Sequence, residues 1–469
     1  MITIYFDKNS MAPMYDQLYS HIKTLILSDE LIANTKLPSK RKLSEHLKIS
    51  IQTVETAYSQ LVAEGYLYSV PKSGYFVEKI VKPYLSKPII VKDTLVSTLN
   101  EKSYKYDFQT NVVDQEKFPY QAWSKIEKSV SEEDIKGSLN HIDLMGYYLL
   151  RKEIAAYLYQ YRGITSNPEN ILIGSGTDYF VMIIALLAKN NSLVGLEDPG
   201  YFKLEKLYKA FKVKTMAVQL DKSGFDIQSA SKENIDIVHV TPSHQFPSGK
   251  VMPVARRMEL LEWANKKTNR FIVEDDYDSE FRFQGNPIPA VKSMDYSGKV
   301  IYMNAFTKSM APSLRISFMV LPDSALENLK NNFGFLTCPV SLFNQASLQR
   351  FMHSGLFERH LNRMKNIYKA KRDFLIDLIK KSQIGKYFQV IGSEAGLHFL
   401  LEANDNISET ELVLLAKKNG VRVRGLQEYC LYPVAGAKAT IVLGYSAIAT
   451  NSMSEAVKGL EKAWKIYLN

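Results

Sequence analysis

Val300-Ile301-Tyr302-Met303-Asn304-Ala305-Phe306-Thr307-Lys308 is an apolar run of strand length that turns polar and ends on a lysine, and Arg315 follows seven residues later. A short apolar run bounded by polar residues reads as a buried strand. Two other segments break off in the same way. Asn170 to Ile173 runs into Gly174-Ser175-Gly176-Thr177, and Phe271-Ile272-Val273-Glu274 runs into Asp275-Asp276-Tyr277. Leu193–Leu196, Ile235–Val240 and Ile316–Leu321 are further short apolar runs, and helical stretches alternate with all of them. That alternation predicts an α/β body over residues 105–469, built on a large, mostly parallel mixed sheet. Beyond residue 345 long helices dominate, which predicts a smaller C-terminal α/β lobe.

Each strand end has an ordinary explanation when taken alone. A Gly-Ser-Gly loop is commonly a turn, a strand-end acid a cap, and a single lysine solvated surface. In combination they do more. A loop of small residues opening a helix offers free N–H groups and a positive dipole end to a phosphate. Asp275 can face a cationic ring nitrogen. Lys308 can form a Schiff base with an aldehyde if burial lowers its pKa. Phosphate loop, acid and lysine at the carboxyl ends of three strands are what a pyridoxal 5′-phosphate site needs.

The first 80 residues follow a different plan. Pro13 starts a helix whose apolar stripe is Tyr15, Leu18, Tyr19, Ile22, Leu25 and Ile26. Ser39 and Ser50 are N-caps of two further helices, and Gly65 ends the last of them. Tyr66–Val70 and Tyr75–Glu78 then pair around the turn Pro71-Lys72-Ser73-Gly74. This order is a winged helix-turn-helix, whose second helix of the pair enters the major groove. Gln52, Thr53, Glu55 and Thr56 would face bases from the turn after Ser50. Lys40, Arg41 and Lys42 would meet phosphates, and Lys72 with Gly74 would form the wing tip. The alternative is a solvated charged face on a small helical domain. Residues 81–104 carry Lys82, Pro83, Lys87, Pro88, Lys92 and Lys102 without sustained periodicity and read as a linker.

A length of 469 residues allows two or three domains. An apolar fraction of 46% with 23% charged residues excludes a disordered, collagen-like or coiled-coil chain. The 59 basic and 49 acidic residues leave a net charge of +10, which permits an acidic partner such as DNA. Two cysteines, Cys338 and Cys430, cannot build a disulfide scaffold and suit a reducing cytoplasm. The start of the chain lacks the order of a signal peptide. The longest apolar run, between Asp178 and Lys189, is about half of what a bilayer crossing needs. It reads as a core helix. A cytoplasmic protein with neither membrane partner nor metal site is expected.

The head resembles the winged-helix domain of GntR-type bacterial regulators in Leu37-Pro38-Ser39-Lys40-Arg41-Lys42-Leu43, Ser50-Ile51-Gln52-Thr53-Val54, Ala57-Tyr58-Ser59-Gln60-Leu61 and Glu64-Gly65. Ile51 stands where that family often has Arg. The body resembles a fold-type I aminotransferase. Its matching segments include His141-Ile142-Asp143-Leu144-Met145-Gly146-Tyr147, Glu197-Asp198-Pro199-Gly200-Tyr201, Thr241-Pro242-Ser243-His244-Gln245-Phe246-Pro247-Ser248-Gly249 and Phe306-Thr307-Lys308 with Leu314-Arg315. Together the halves are similar to the MocR/GabR regulators over almost the entire chain.

The resemblance implies roles. Lys308 would carry pyridoxal 5′-phosphate covalently and Asp275 would pair with the pyridine nitrogen. Tyr277 would bind the phenolic oxygen and Tyr201 would stack on the ring. Gly176, Thr177, Thr307 and Arg315 would hold the phosphate. Lys203, Arg422 and Arg424 would serve an effector carboxylate. Ser50, Gln52 and Thr53 would contact DNA beside Lys40, Arg41, Lys72 and Gly74. A homodimer reading paired half-sites in promoter DNA is implied as well.

The departures also bear on function. Phe246 replaces the usual Asn before Pro247, so His244 or Gln245 would support the phenolic oxygen. Ala305 replaces a hydroxyl residue. The strand Thr440–Tyr445 lacks the arginine that clamps a substrate carboxylate in aminotransferases, so full transamination is expected to be compromised. The resulting expectation is a pyridoxal phosphate-dependent transcriptional regulator that senses the vitamer or an amino compound such as GABA. Lys203, where GABA-responsive members would carry Arg, tilts the choice toward vitamin B6. The rivals are an active aminotransferase with an accessory DNA-binding head, and a DNA-binding protein whose body has lost its cofactor.

Overall fold

The computed structural model describes residues 2–7, 12–80, 104–110, 112–131, 136, 143–188, 191–283, 288–404, 407–433 and 436–468. The expected linker therefore lies outside the described residues apart from Tyr104, as do His141 and Ile142. The chain divides into two compact units, Met1–Glu101 and Lys102–Asn469.

In the first unit, helices α1 (Met14–Leu27), α2 (Lys40–Leu47) and α3 (Ile51–Ala63) precede an antiparallel hairpin of β1 (Leu67–Val70) and β2 (Gly74–Val77). The predicted caps form. Ser39 Oγ accepts from the Lys42 amide at 3.3 Å, and Ser50 Oγ accepts from the Thr53 amide at 3.0 Å. Each satisfies one of the donors that a helix start leaves without an intrahelical partner. The apolar stripes converge on one core in which Leu18, Ile22, Leu43, Val54, Ala57, Tyr58 and Leu61 are fully buried.

The second unit begins with β3 (Tyr106–Asp107) and is organised by an eight-stranded sheet. Its strands are β4 (Ile171–Gly174), β5 (Leu193–Asp198), β6 (Lys214–Asp221), β7 (Gly224–Phe225), β8 (Ile237–Val240), β9 (Phe271–Asp275), β10 (Val300–Ala305) and β11 (Ser317–Val320). Their order is β4-β11-β10-β9-β8-β5-β6-β7. The centre is parallel, as the alternating pattern predicts. β11 lies antiparallel between β4 and β10, and β7 is antiparallel to β6 at the far edge. Successive strand residues point to opposite faces. Ile171, Ile173, Tyr302, Phe318 and Val320 accordingly join one hydrophobic cluster, while Leu172, Ile301, Met303 and Met319 join another. Burial on both faces explains why these strands are uniformly apolar rather than alternating.

The smaller lobe has a four-stranded antiparallel sheet of β12 (Phe388–Ile391), β13 (His398–Ala403), β16 (Thr440–Gly444) and β15 (Arg424–Gly425), while β14 (Val421–Arg422) pairs with β3. The 26-residue helix Leu356–Lys381 buries Phe357, Leu361, Met364, Tyr368, Leu375 and Ile379, a helical stripe. Among the described residues no helix is long and apolar enough to cross a membrane.

Beside the sheet, Arg162 Nε lies 2.8 Å from Asp276 Oδ2, and both side chains are almost wholly buried. Its two Nη atoms donate to Ile288 O at 2.6 Å and Ser243 Oγ at 2.7 Å. Tyr302 donates to Asp276 Oδ2 at 2.5 Å. Arg162→Met leaves a buried carboxylate without its counter-charge. We expect a loss of about 3–5 kcal/mol, read as a fall in the urea midpoint at unchanged m-value. A loss below about 1 kcal/mol, the range of an exposed pair, would contradict this packing.

Candidate functional site

The sheet register gathers groups that are far apart in sequence. Gly174 on β4 is opposite Ser317 on β11, and Ser317 is opposite Ala305 on β10. Met303 on β10 is opposite Asp275 on β9. The carboxyl ends of β4, β9 and β10 therefore meet the amino end of β11 at one edge, where a cavity of about 250 Å³ opens. All eight residues expected to hold a cofactor line it: Gly176, Thr177, Tyr201, Asp275, Tyr277, Thr307, Lys308 and Arg315.

At one end lies a cationic cradle. Gly176 has φ +114°, and a Cβ there would come within 2.8 Å of Arg315 Nη2. Only glycine permits that backbone and that approach. Ser317 Oγ accepts from the Gly176 amide at 2.7 Å and donates to Gly174 O at 2.8 Å. The helix Thr177–Leu187 starts here, so its unpaired amides and positive dipole end face the same space as Arg315.

At the other end Asp275 Oδ2 lies 3.6 Å from His239 Nε2, and His239 Nδ1 is 3.1 Å from the Tyr208 hydroxyl. Tyr277 Oη sits 2.9 Å from His244 Nδ1, which is 3.0 Å from both Asp278 carboxylate oxygens. In the tautomer with the proton on Nδ1, facing Asp278 and the tyrosine oxygen, the Tyr277 hydroxyl hydrogen is left for the cavity. Burial among carboxylates raises the Tyr277 pKa well above its usual value and keeps it a donor. Of the two residues expected to replace the missing Asn, His244 reaches Tyr277. Gln245 instead donates to Pro199 O, Phe246 O and Glu197. Burial pushes Glu197 up to about 7 against the hydrogen bonds from Thr241 and Gln245.

Lys308 stands between these ends and is 7% exposed. Burial lowers its amine to about 8, and the Asp278 carboxylate offsets part of that shift. An amine so placed is a far better nucleophile at neutral pH than a surface lysine. Tyr201 meets Phe246 edge to face, with centroids 6.1 Å apart.

The three cations assigned to an effector do not converge. Lys203 lines the cavity, but its Nζ is 2.7 Å from both oxygens of Asp178, with each side chain a little over 40% exposed. Arg422 lies 3.5 Å from Asp107 and over the Tyr104 ring. Arg424 lies 3.6 Å from Glu428. Neither arginine lines the cavity. Sequence reading missed Asp178, Asn304 and Ser317 on the cavity wall. Asp178 directly follows the Gly174-Ser175-Gly176-Thr177 loop and could have been found, whereas Ser317 reaches the cavity only through the antiparallel placement of β11.

In the head, Arg41 is exposed at the start of α2, and Lys72 is exposed at the hairpin tip with φ +64°. Lys40 Nζ is held by Glu55 at 2.5 Å. Ser50 and Thr53 hydroxyls lie 2.8 Å apart.

Comparison with known proteins agrees with both halves. Residues 14–77 match the family "Bacterial regulatory proteins, gntR family", and residues 103–436 match "Aminotransferase class I and II". The chain is 35% identical to the uncharacterized HTH-type transcriptional regulator YhdI of Bacillus subtilis, over 99% of this chain and 98% of that one. It is 29% identical to the probable rhizopine catabolism regulatory protein MocR of Rhizobium meliloti, over 98% and 95%. The crystal structure of Pyrococcus horikoshii kynurenine aminotransferase shares the fold of the body, with a TM-score of 0.68 at 22% identity, covering 80% of this chain and 94% of that one. The chain therefore belongs to the MocR-type transcriptional regulators, in which a gntR-family helix-turn-helix head is joined to an aminotransferase class I and II domain.

Proposed function

We propose that the body of this regulator holds pyridoxal 5′-phosphate at Lys308, that the vitamer is itself the signal, and that occupancy changes how the head binds promoter DNA. The observation that carries this reading is the wall of the cavity of about 250 Å³ at the carboxyl edge of the sheet. It combines a glycine-and-arginine cradle for a phosphate, an acid suited to a protonated ring nitrogen, and a buried, easily deprotonated lysine. When bound, the cofactor supplies an electron-withdrawing ring and a reactive aldehyde. Lys308 is the nucleophile toward that aldehyde. Asp275 would balance the ring's charge, and Tyr277, aligned by His244, would donate to the phenolic oxygen. Tyr201 would pack on the ring, and Thr177, Thr307 and Arg315 would hold the phosphate.

The vitamer is favoured over a carboxylate-bearing amine such as GABA because Lys203 already has both oxygens of Asp178. Strand β16 also presents Thr440-Ile441-Val442-Leu443-Gly444, with no guanidinium to clamp a carboxylate. The same lack argues against an efficient aminotransferase. A cytoplasmic homodimer would place two heads on paired half-sites. Differential affinity of the ligand for two arrangements of the dimer would shift their populations.

The first expected outcome is spectroscopic. Pyridoxal phosphate gives the natural protein a visible absorption band and a borohydride-stable mass increment, and Lys308→Ala has neither. Their persistence in that variant would refute the assignment of Lys308. The second concerns pH. The reacting form of Lys308 is the neutral amine, so the rate of adduct formation rises with pH to a midpoint near 8. Asp278→Asn removes a charge that favours the ammonium form and moves that midpoint down. A midpoint that stays put or rises would contradict the electrostatics. In the head, Arg41→Ala weakens binding to all DNA sequences alike and lowers the salt slope by about 1. Lys40→Ala changes the slope less, because Glu55 already neutralises Lys40. Equal effects of the two variants in a salt titration would contradict that pairing.

A further inference from the structure

Recognition helix α3 displays few unengaged polar groups. Thr53 Oγ1 is tied to Ser50, and Thr56 Oγ1 donates to the Gln52 carbonyl at 2.9 Å. The Glu55 carboxylate is held by Lys40 across to α2. Gln52 differs. Its side chain is exposed on the first turn, and its amide makes no hydrogen bond among the described residues. Beside it Ile51 leaves 47% of its surface exposed, on a turn whose inward residue, Val54, is fully buried.

In a helix-turn-helix the N-terminal residues of the second helix meet base edges in the major groove. A side-chain amide there is complementary to adenine, donating to N7 and accepting from the N6 amino group. An exposed aliphatic group finds its partner in the thymine methyl. An anchored carboxylate at position 55 would have to break its ion pair to accept from cytosine.

We infer that Gln52 is the principal base-reading residue, that it selects adenine at one position of each half-site, and that Ile51 packs against a neighbouring thymine methyl. This rests on the head's being a DNA-binding domain and specifies which sequence it prefers. The basic residues of α2 and the wing then supply sequence-independent affinity, so affinity and base choice are separable.

The test is selection of binding sites from a random duplex library by the full-length protein, its Gln52→Ala variant and its Gln52→Arg variant. The natural protein is expected to favour A·T over G·C at one position per half-site by about 10- to 100-fold. Gln52→Ala loses preference at that position while retaining its affinity for non-specific DNA at low salt. Gln52→Arg changes the preferred base there to guanine, the partner of a bidentate arginine. Retained non-specific affinity shows that an altered motif does not come from misfolding, since Gln52 is exposed and supports no packing. If both variants select the natural protein's motif, the assignment of Gln52 is overturned while the head's DNA-binding role stands. If the natural protein selects nothing above background, the DNA-binding reading falls and this assignment falls with it.

Discussion

One strand running against its neighbours makes the site. Ser317–Val320 is antiparallel to the strands on both sides, so its amino end lies where their carboxyl ends lie. That reversal sets Arg315 against Gly176 and puts the Ser317 hydroxyl between Gly174 O and the Gly176 amide. It also flanks β10, whose continuation carries Lys308. A parallel strand in that slot would deliver its first residues to the opposite edge of the sheet and leave the glycine cradle without its guanidinium. The chemistry of the cavity is thus a consequence of sheet topology before it is one of side-chain choice.

The depth at which Lys308 is held follows from the same packing. Clusters on both faces of the sheet exclude water from the strand ends, and burial drives the amine toward its neutral form. Asp278 keeps the shift from going further, and it also orients the histidine behind Tyr277. A single carboxylate therefore tunes the nucleophile and positions a hydrogen-bond donor across the cavity. Below this layer the Arg162–Asp276–Tyr302 network fixes the end of β9 from behind. Its members are buried, and the charge of Asp276 is balanced by Arg162 and by the Tyr302 hydroxyl, as a network in a low-dielectric interior requires.

Local rules made much of this legible in the sequence. Helix caps such as Ser39 and Ser50 depend on contacts three residues away. The strands are short apolar runs, and Gly176 and Lys308 mark the ends of two of them. The functional grouping of Lys308, Asp275 and Arg315 was readable because each sits at a strand end and strand ends of an α/β sheet share an edge. Ion pairing was not readable. Lys203 and Asp178 are 25 positions apart and meet only because two helices start beside the same cavity. The partners of Arg422 and Arg424 likewise depend on how β14 docks on β3 and on a turn beyond β15. Charged side chains advertise their sign in a sequence but not the neighbour that neutralises them, so the reading of three effector cations went beyond what local pattern can carry.

The proposed function depends on communication between the lysine site and the head. The most direct measurement is the affinity of the full-length protein for its selected DNA site, at fixed salt, with and without saturating pyridoxal phosphate. A change in affinity is expected on adding the vitamer, with no such change in Lys308→Ala. An affinity identical in the presence and absence of the vitamer, in a protein shown to have bound it, would contradict the claim that the body senses on behalf of the head.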